Sequence, residues 1–295
     1  MSTIESSKTC SHWQRVEGGF FRTKIKKNNA AEECFYKLGR LIGSGLEGEV
    51  YELCSEGKTT KAIKVIPSDH GYNRSDALIA IGKERRSLTV LNEVCPHYHH
   101  YLKSPTLYHA VIVRRLDATL SERAAHLSFW ELLETVELLA QQLTQIHRAG
   151  IAHRDIHSDN IMYRAKDNTY SFIDFSGSKM KNDCEEGEFN WLCLSDIKFL
   201  TSAVSMFMQR HYDSDKFQNR RDMLAAARHI WDISTLSESD HSDHLFEEND
   251  EMALLEPSIQ DSFTVMTAFQ ERISAFKSTY AHVLGPKSDS CCHLL

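Results

Sequence analysis

The chain has 295 residues, 41% of them hydrophobic and 25% charged, with 13 Gly and 5 Pro. This is enough apolar mass for one or two packed domains and excludes collagen-like, low-complexity and wholly disordered chains. The formal charge of -7 excludes binding to nucleic acid mainly by phosphate neutralisation, which needs a basic face, so no nucleic-acid partner is expected.

The first twenty residues hold no apolar core segment, so no secretory signal is expected, and no run is expected to reach the length of a membrane span. The eight Cys are mostly scattered and form no C-x-x-C pair, which fits reduced thiols in a cytosol. Residues 1–34 mix polar residues with the basic Arg22, Lys24, Lys26 and Lys27, show no sustained period, and read as an N-terminal extension or partner-binding arm. Between Phe35 and Val65, short apolar alternations separated by Gly (KLGRLIG, GEVYEL, TKAIKVI) predict adjacent antiparallel strands. Leu78, Ile81, Leu88 and Leu91 then recur at helical spacing, and AVIV at 110–113 predicts one more buried strand.

A long amphipathic helix is predicted from Ser128 as its N-cap, with Leu132, Leu133, Val136, Leu139, Ala140, Leu143 and Ile146 on one face and Gly150 as its stop. Beyond about Ser195 the chain reads as mostly helix, apart from an acidic, aperiodic stretch at 234–250 that reads as a loop. The outline is α+β: a strand-rich part with one helix at 35–116, a larger helical part at 117–285, and a tail at 286–295.

Three constellations carry chemistry. Gly43, Gly45 and Gly48 stand in GSGLEGEV as G-x-G-x-x-G-x-V. A dinucleotide fingerprint would open a helix, whereas GEVYEL continues as a strand, so this is a glycine turn between two strands. Such a turn can fold over phosphates because no Cβ atoms keep its N–H groups away. The plainer alternative is an ordinary hairpin. Lys64 ends KAIK on the next strand, within reach of phosphates under that turn, and Glu84 on the following helix is its natural partner. HRDIHSDN at 153–160, a short strand, and SFIDFSG at 171–177 complete the set. They supply Asp155 to accept or orient a nucleophile's proton, and Asn160 and Asp174 to hold Mg2+.

These motifs, in this order, resemble the eukaryotic-type protein kinase superfamily over roughly residues 36–210. The resemblance implies a two-lobed kinase-like fold with a small antiparallel-sheet lobe and a larger helical lobe. It also implies ATP and Mg2+ as cofactors, with Gly43, Gly45 and Gly48 over the phosphates. By the same likeness, Val50 and Ala62 line the adenine pocket, the hinge lies around Arg115 and Leu116, and Met162 lies under the purine. Lys64 pairs with Glu84, Asp155 is catalytic, and Asp196 anchors the catalytic loop.

The departures are as informative. His157 stands where most relatives have Lys, a feature similar to haspin-type kinases, and would act toward the γ-phosphate. Ser176 replaces the Gly of D-F-G, no A-P-E follows, and only 22 positions separate Asp174 from Asp196. Control by phosphorylation of so short a segment is not expected. Its acidic residues Asp183, Glu185, Glu186 and Glu188 fit a basic substrate by charge complementarity.

The resulting expectation is phosphate transfer from ATP to Ser or Thr of a eukaryotic cytosolic protein. The alternatives are a kinase-fold enzyme acting on a small molecule or lipid, and a pseudokinase binding module. The sequence ends Cys292-His293-Leu294-Leu295, which fits a geranylgeranyl C-a-a-X motif, with Cys291 as a candidate palmitoylation site. Membrane attachment by lipid in a eukaryotic or host cytoplasm is the matching expectation. The few prolines and short core resemble kinases of bacterial effectors and large DNA viruses.

Overall fold

The computed structural model describes residues 15–16, 20–27, 30–45, 48–55, 58–65, 74–94, 110–212, 217, 220–232 and 261–285. They fall into two compact units. The first runs up to Leu116 and takes in Asp174–Ser178; the second holds Asp117–Ile173 and the chain from Lys179 onward.

The first unit is built on a six-stranded antiparallel sheet in which every strand pairs with its neighbour in sequence. Its strands are β1 (Arg15–Val16), β2 (Phe20–Lys27), β3 (Ala30–Gly45), β4 (Gly48–Ser55), β5 (Lys58–Val65) and β6 (Ala110–Arg114). The expected extension at 1–34 needs correcting. β3 crosses the boundary at 34/35, and β2 pairs with it from Phe20↔Lys37 to Lys27↔Ala30, so residues 20–34 extend the sheet.

Alternation along β4 and β5 sends Leu53 and Ile63 into a core with Ala110 and Ile112. Val50 pairs with Lys64 and Glu52 with Ala62, which puts these four on the opposite face. Helix α1 (Arg74–Val94) buries Ala77, Ile81, Leu88 and Leu91. Two polar residues, Glu84 and Ser87, lie buried in the same stripe.

The second unit is mostly helical: α2 (Leu120–Ala124), α3 (Phe129–Arg148), α4 (Glu188–Tyr212), α5 (Arg221–Trp231) and α6 (Ser262–Leu284). In α3 all seven apolar residues named from the sequence are fully buried, the Leu, Val and Ile side chains contributing about 1.5–3 kcal/mol each and Ala140 about half as much or less. The helix starts on a capping box: Glu131 N–H donates to Ser128 Oγ at 3.2 Å, and Ser128 N–H donates to Glu131 Oε2 at 2.8 Å. It stops at Gly150, which takes φ 75°. α3 packs against α4 and α6, with Phe129 at the centre of an aromatic cluster 4.9 Å from Phe217 and 5.8 Å from Phe276, ring centre to ring centre.

Short strands complete this unit: β7 (Ala118–Thr119), β8 (Ile151–Ala152), β9 (Ile161–Arg164), β10 (Thr169–Phe172) and β11 (Lys179–Met180), in the orders β10-β9-β7 and β11-β8. One expectation fails by composition. α4 is long and apolar enough to cross a membrane, with a mean hydropathy of 1.2 over its most apolar window. Here it is a packed helix that buries the charged Asp196 together with Leu192, Ile197, Leu200, Val204 and Met208.

Candidate active site

In the first unit, the glycine turn is the hairpin between β3 and β4, closed by Gly43↔Val50, Ser44↔Glu49 and Gly45↔Gly48. Only Gly48 takes a backbone angle that demands glycine, φ 144°. A Cβ at Gly45 would meet nothing within 4 Å, so open space lies beside that residue.

Lys64, set by the register of β5, points from the face it shares with Val50, Glu52 and Ala62. Its Nζ lies 2.8 Å from Asp174 Oδ1 and 3.2 Å from Glu84 Oε2. The expected Lys64–Glu84 pair is therefore present, with Glu84 buried and Lys64 half-buried, 6% and 12% exposed. Burial pushes the Asp174 carboxyl up, but the Lys64 ammonium beside it prevails and holds it below the usual carboxylate range.

Asp174 takes a left-handed backbone, φ 62°, and caps the 3-10 turn Phe175–Gly177. Ser176 replaces the family glycine without strain, because the left-handed residue is Asp174 and not Ser176. Its amide donates to Asp174 Oδ1 at 3.4 Å. At the end of β6, Arg115 reaches Glu52 at 3.4 Å and Leu116 closes the unit.

In the second unit, HRDIHSDN follows β8. Asp196 on α4 is fully buried and accepts from three groups: His153 N–H at 2.7 Å, Arg154 N–H at 2.7 Å, and the His147 ring, whose Nε2 lies at 3.0 Å. These bonds hold Arg154 at φ 69°, a conformation that costs a non-glycine residue about 1–3 kcal/mol. Asp155 N–H donates to His153 Nδ1 at 3.3 Å. The opposite nitrogen, Nε2, therefore carries the hydrogen and donates it to the Ile173 carbonyl at 3.0 Å.

Asp155 projects to solvent, and Asn160 is buried behind it. Asn160 Nδ2 donates to Asp155 Oδ2 at 2.7 Å and to its carbonyl at 3.0 Å. His157 Nδ1 accepts from the Asp159 amide at 3.3 Å, and its Nε2 lies 3.8 Å from Asp155 Oδ2. A carboxylate fixed by an amide and flanked by an imidazole is equipped to orient a hydroxyl and take its proton. Met162 is half-buried on β9, paired with Ser171 and Thr119.

After Asp174 the chain is short and ordered. β11 pairs with β8, Lys179↔Ala152, and Lys179 forms an ion pair with Glu188 at the start of α4. The Lys179 ammonium bonded to it holds the Glu188 carboxyl below its usual range, helped by the Glu185 amide. The pair Ser87 and Ser178 was not anticipated: the two hydroxyls meet at 2.8 Å across 91 positions of sequence, and nothing in the spacing announces it. Cys291, Cys292 and the stretch at 234–250 lie outside the described residues.

A glycine hairpin, a half-buried lysine paired with a helix glutamate and an aspartate, and a loop presenting Asp155 backed by Asn160 together define a protein kinase domain. Residues 36–232 match the protein kinase domain family, and the chain belongs to it, with that family's two-lobed α+β fold. The chain is 30% identical over 182 residues to serine/threonine-protein kinase 33 of Bos taurus, which spans 59% of this chain and 36% of that protein. It is 29% identical over 156 residues to serine/threonine-protein kinase PknD of Mycobacterium tuberculosis, 50% of this chain and 23% of that protein. The chain thus spans little more than a third, or less, of the length of these curated relatives.

Proposed function

We propose that the chain transfers the γ-phosphate of Mg-ATP to a Ser or Thr hydroxyl of a protein. The observation that carries this reading is the half-buried Lys64, 3.2 Å from Glu84 and 2.8 Å from Asp174, within a protein kinase domain. Relatives named as serine/threonine kinases support the choice of acceptor.

The residues fit the metal this chemistry uses. Lys64 and the Ser176 amide both donate to Asp174 Oδ1, and the same carboxylate carries a second oxygen of the hard kind a metal takes. The Asn160 amide nitrogen is committed to Asp155, which leaves its carbonyl oxygen. Each unit thus supplies a hard oxygen donor of the kind Mg2+ takes. Among the described residues no group of three His, Cys, Asp or Glu side chains forms a metal site without such help. When bound, the metal neutralises charge on the phosphates.

In this reading Lys64 holds the phosphates under Gly43, Gly45 and Gly48, with Val50, Ala62, Arg115, Leu116 and Met162 around the purine. Asn160 orients the Asp155 carboxylate, Asp155 accepts the hydroxyl proton, and His157 donates toward the γ-phosphate. A second reading, a small-molecule or lipid acceptor, is favoured by one observation: the chain passes from Asp174 to the first residue of α4, Glu188, in only fourteen positions. Transfer of labelled γ-phosphate in a eukaryotic lysate separates the two. Label in protein bands that disappears with Asp155→Asn supports the first reading, and Asp155-dependent label in lipid or small-molecule fractions supports the second. Absence of any Asp155-dependent label would overturn both.

A further inference from the structure

Asp174–Ser178 belongs to the sheet-and-α1 unit, although the residues on either side, Ile173 and Lys179, belong to the other. The five-residue segment is tied to its host at both ends. At the first end, Asp174 Oδ1 accepts from Lys64 Nζ at 2.8 Å. At the last end, Ser178 Oγ lies 2.8 Å from Ser87 Oγ on α1. Ser87 is three residues after Glu84, so on one buried face of α1 the first residue reaches Lys64 and the second reaches Ser178.

The direction of the hydroxyl bond follows from its surroundings. Ser178 Oγ also lies 2.5 Å from the Phe175 carbonyl, which only accepts, so the Ser178 hydrogen is spent there. Ser87 must then donate to Ser178. The chain Ser87→Ser178→Phe175 carbonyl ends one residue after Asp174, whose left-handed backbone persists only if its surroundings over-determine it. Ser87 and Ser178 are 1% and 5% exposed, so water does not replace the bond if one partner is lost.

We propose that Ser87 and Ser178 form a hydroxyl latch, a pair of positioning residues that hold Asp174 at Lys64 and so preset the metal-binding carboxylate before nucleotide arrives. The catalytic consequence rests on the kinase reading above, but the latch itself does not. It joins α1, which carries Glu84, to the segment that carries Asp174, and both of those carboxylates meet one lysine. It also supplies a restraint in a chain whose Ser176 stands where the family has a glycine.

The test uses the full chain as wild type, Ser87→Ala, Ser178→Ala, the double variant, and Ser178→Thr, which restores a hydroxyl. Two readouts are taken. The first is hydrogen–deuterium exchange of the peptide spanning 174–178 without nucleotide. The second is the magnesium half-saturation and kcat of phosphoryl transfer. The latch predicts faster exchange in either alanine variant and wild-type-like exchange in Ser178→Thr. It also predicts a raised magnesium half-saturation, and kcat lower by about tenfold, equivalent to about 1.4 kcal/mol. The double variant should be no worse than the worse single one, because each alanine already breaks the bond.

Exchange at 174–178 unchanged in both alanine variants overturns the latch. So does a lowered melting temperature with magnesium half-saturation and kcat both unchanged, since that marks a merely structural contact. If the wild type transfers no phosphate, the kinase reading fails, and the exchange measurement still decides whether the latch exists.

Discussion

Replacing Asp196 tests how the loop that carries Asp155 is held. Asp196 is fully buried on α4; Oδ2 accepts from the His153 amide and meets the His147 ring, and Oδ1 accepts from the Arg154 amide. Hydrogen bonds to a charged group are worth roughly 1.5–3 kcal/mol each, and a buried donor left unpaired costs a similar amount. The two bonds on Oδ2 are buried, whereas the Arg154 amide is only partly so and water can reach it. Asp196→Ala is therefore expected to destabilise the protein by about 3–6 kcal/mol, the loss of two buried bonds to a charged acceptor.

Asp196→Asn should behave differently. Its carbonyl oxygen can take the place of Oδ2 and keep both buried bonds at reduced strength, while its NH2 group faces the Arg154 amide, donor against donor. The expected loss is about half that of alanine. Urea unfolding followed by tryptophan fluorescence measures both, provided the slopes match wild type. An alanine variant within about 1 kcal/mol of wild type, or an asparagine variant as damaged as alanine, would refute the reasoning.

Gly48→Ala forces a side chain onto φ 144° and should cost about 1–3 kcal/mol, whereas Gly45→Ala enters open space and should leave stability unchanged while raising the KM for ATP. Equal losses in a thermal melt would contradict that contrast. The Lys64 pair depresses the Asp174 carboxyl, so its stabilisation is complete above the ordinary value near 3.8 and is lost as pH falls through the depressed value. The melting-temperature advantage of wild type over Asp174→Asn should thus stay flat between about pH 5 and 8 and collapse only in acid; an advantage that fades near neutrality counts against the pairing. In Lys64→Met the opposing burial remains without the ammonium, so the Asp174 pKa should rise, as carbon-detected NMR titration would show. Glu185→Gln with Glu186→Gln should weaken phosphorylation of basic peptides relative to neutral ones without lowering the melting temperature, whereas Glu188→Gln should lower it; peptide-array rates and thermal melts decide both.

What was legible in the sequence was chemistry at short range. The three glycines, KAIK, HRDIHSDN and IDFS each keep their residues within a few positions, and the face of α3 repeats long enough to announce itself, with Ser128 and Gly150 marking its ends. The strands before Phe35 were missed although a signal existed. Arg22, Lys24 and Lys26 alternate with Phe21, Thr23 and Ile25 at the period of a strand, a pattern masked by the run of positive charge. The two-residue strands β7, β8 and β11 carry too few side chains to form a pattern and exist because tertiary pairing makes them. The Ser87–Ser178 contact spans 91 positions, and an isolated serine on a helix face reads as an ordinary polar residue until its partner is known.

The segment between Asp174 and Asp196 shows why composition alone misleads there. By charge, Asp183, Glu185, Glu186 and Glu188 form one acidic group facing a substrate. By structure they divide. Glu188 turns back on Lys179 and the Glu185 amide, while Asp183, Glu185 and Glu186 stay exposed. Since Lys179 sits on β11, whose partner β8 leads directly into His153, the Glu188 pair secures the strand from which the Asp155 loop departs. The first residues of that loop, His153 and Arg154, are held in turn by Asp196 on the same helix. One helix therefore fixes both the loop that carries Asp155 and the close of the segment that begins at Asp174, using two carboxylates supplied by the sequence itself. A segment already anchored by its own carboxylates has no need of an added phosphate to order it, which is the physical ground for expecting activity without phosphorylation there.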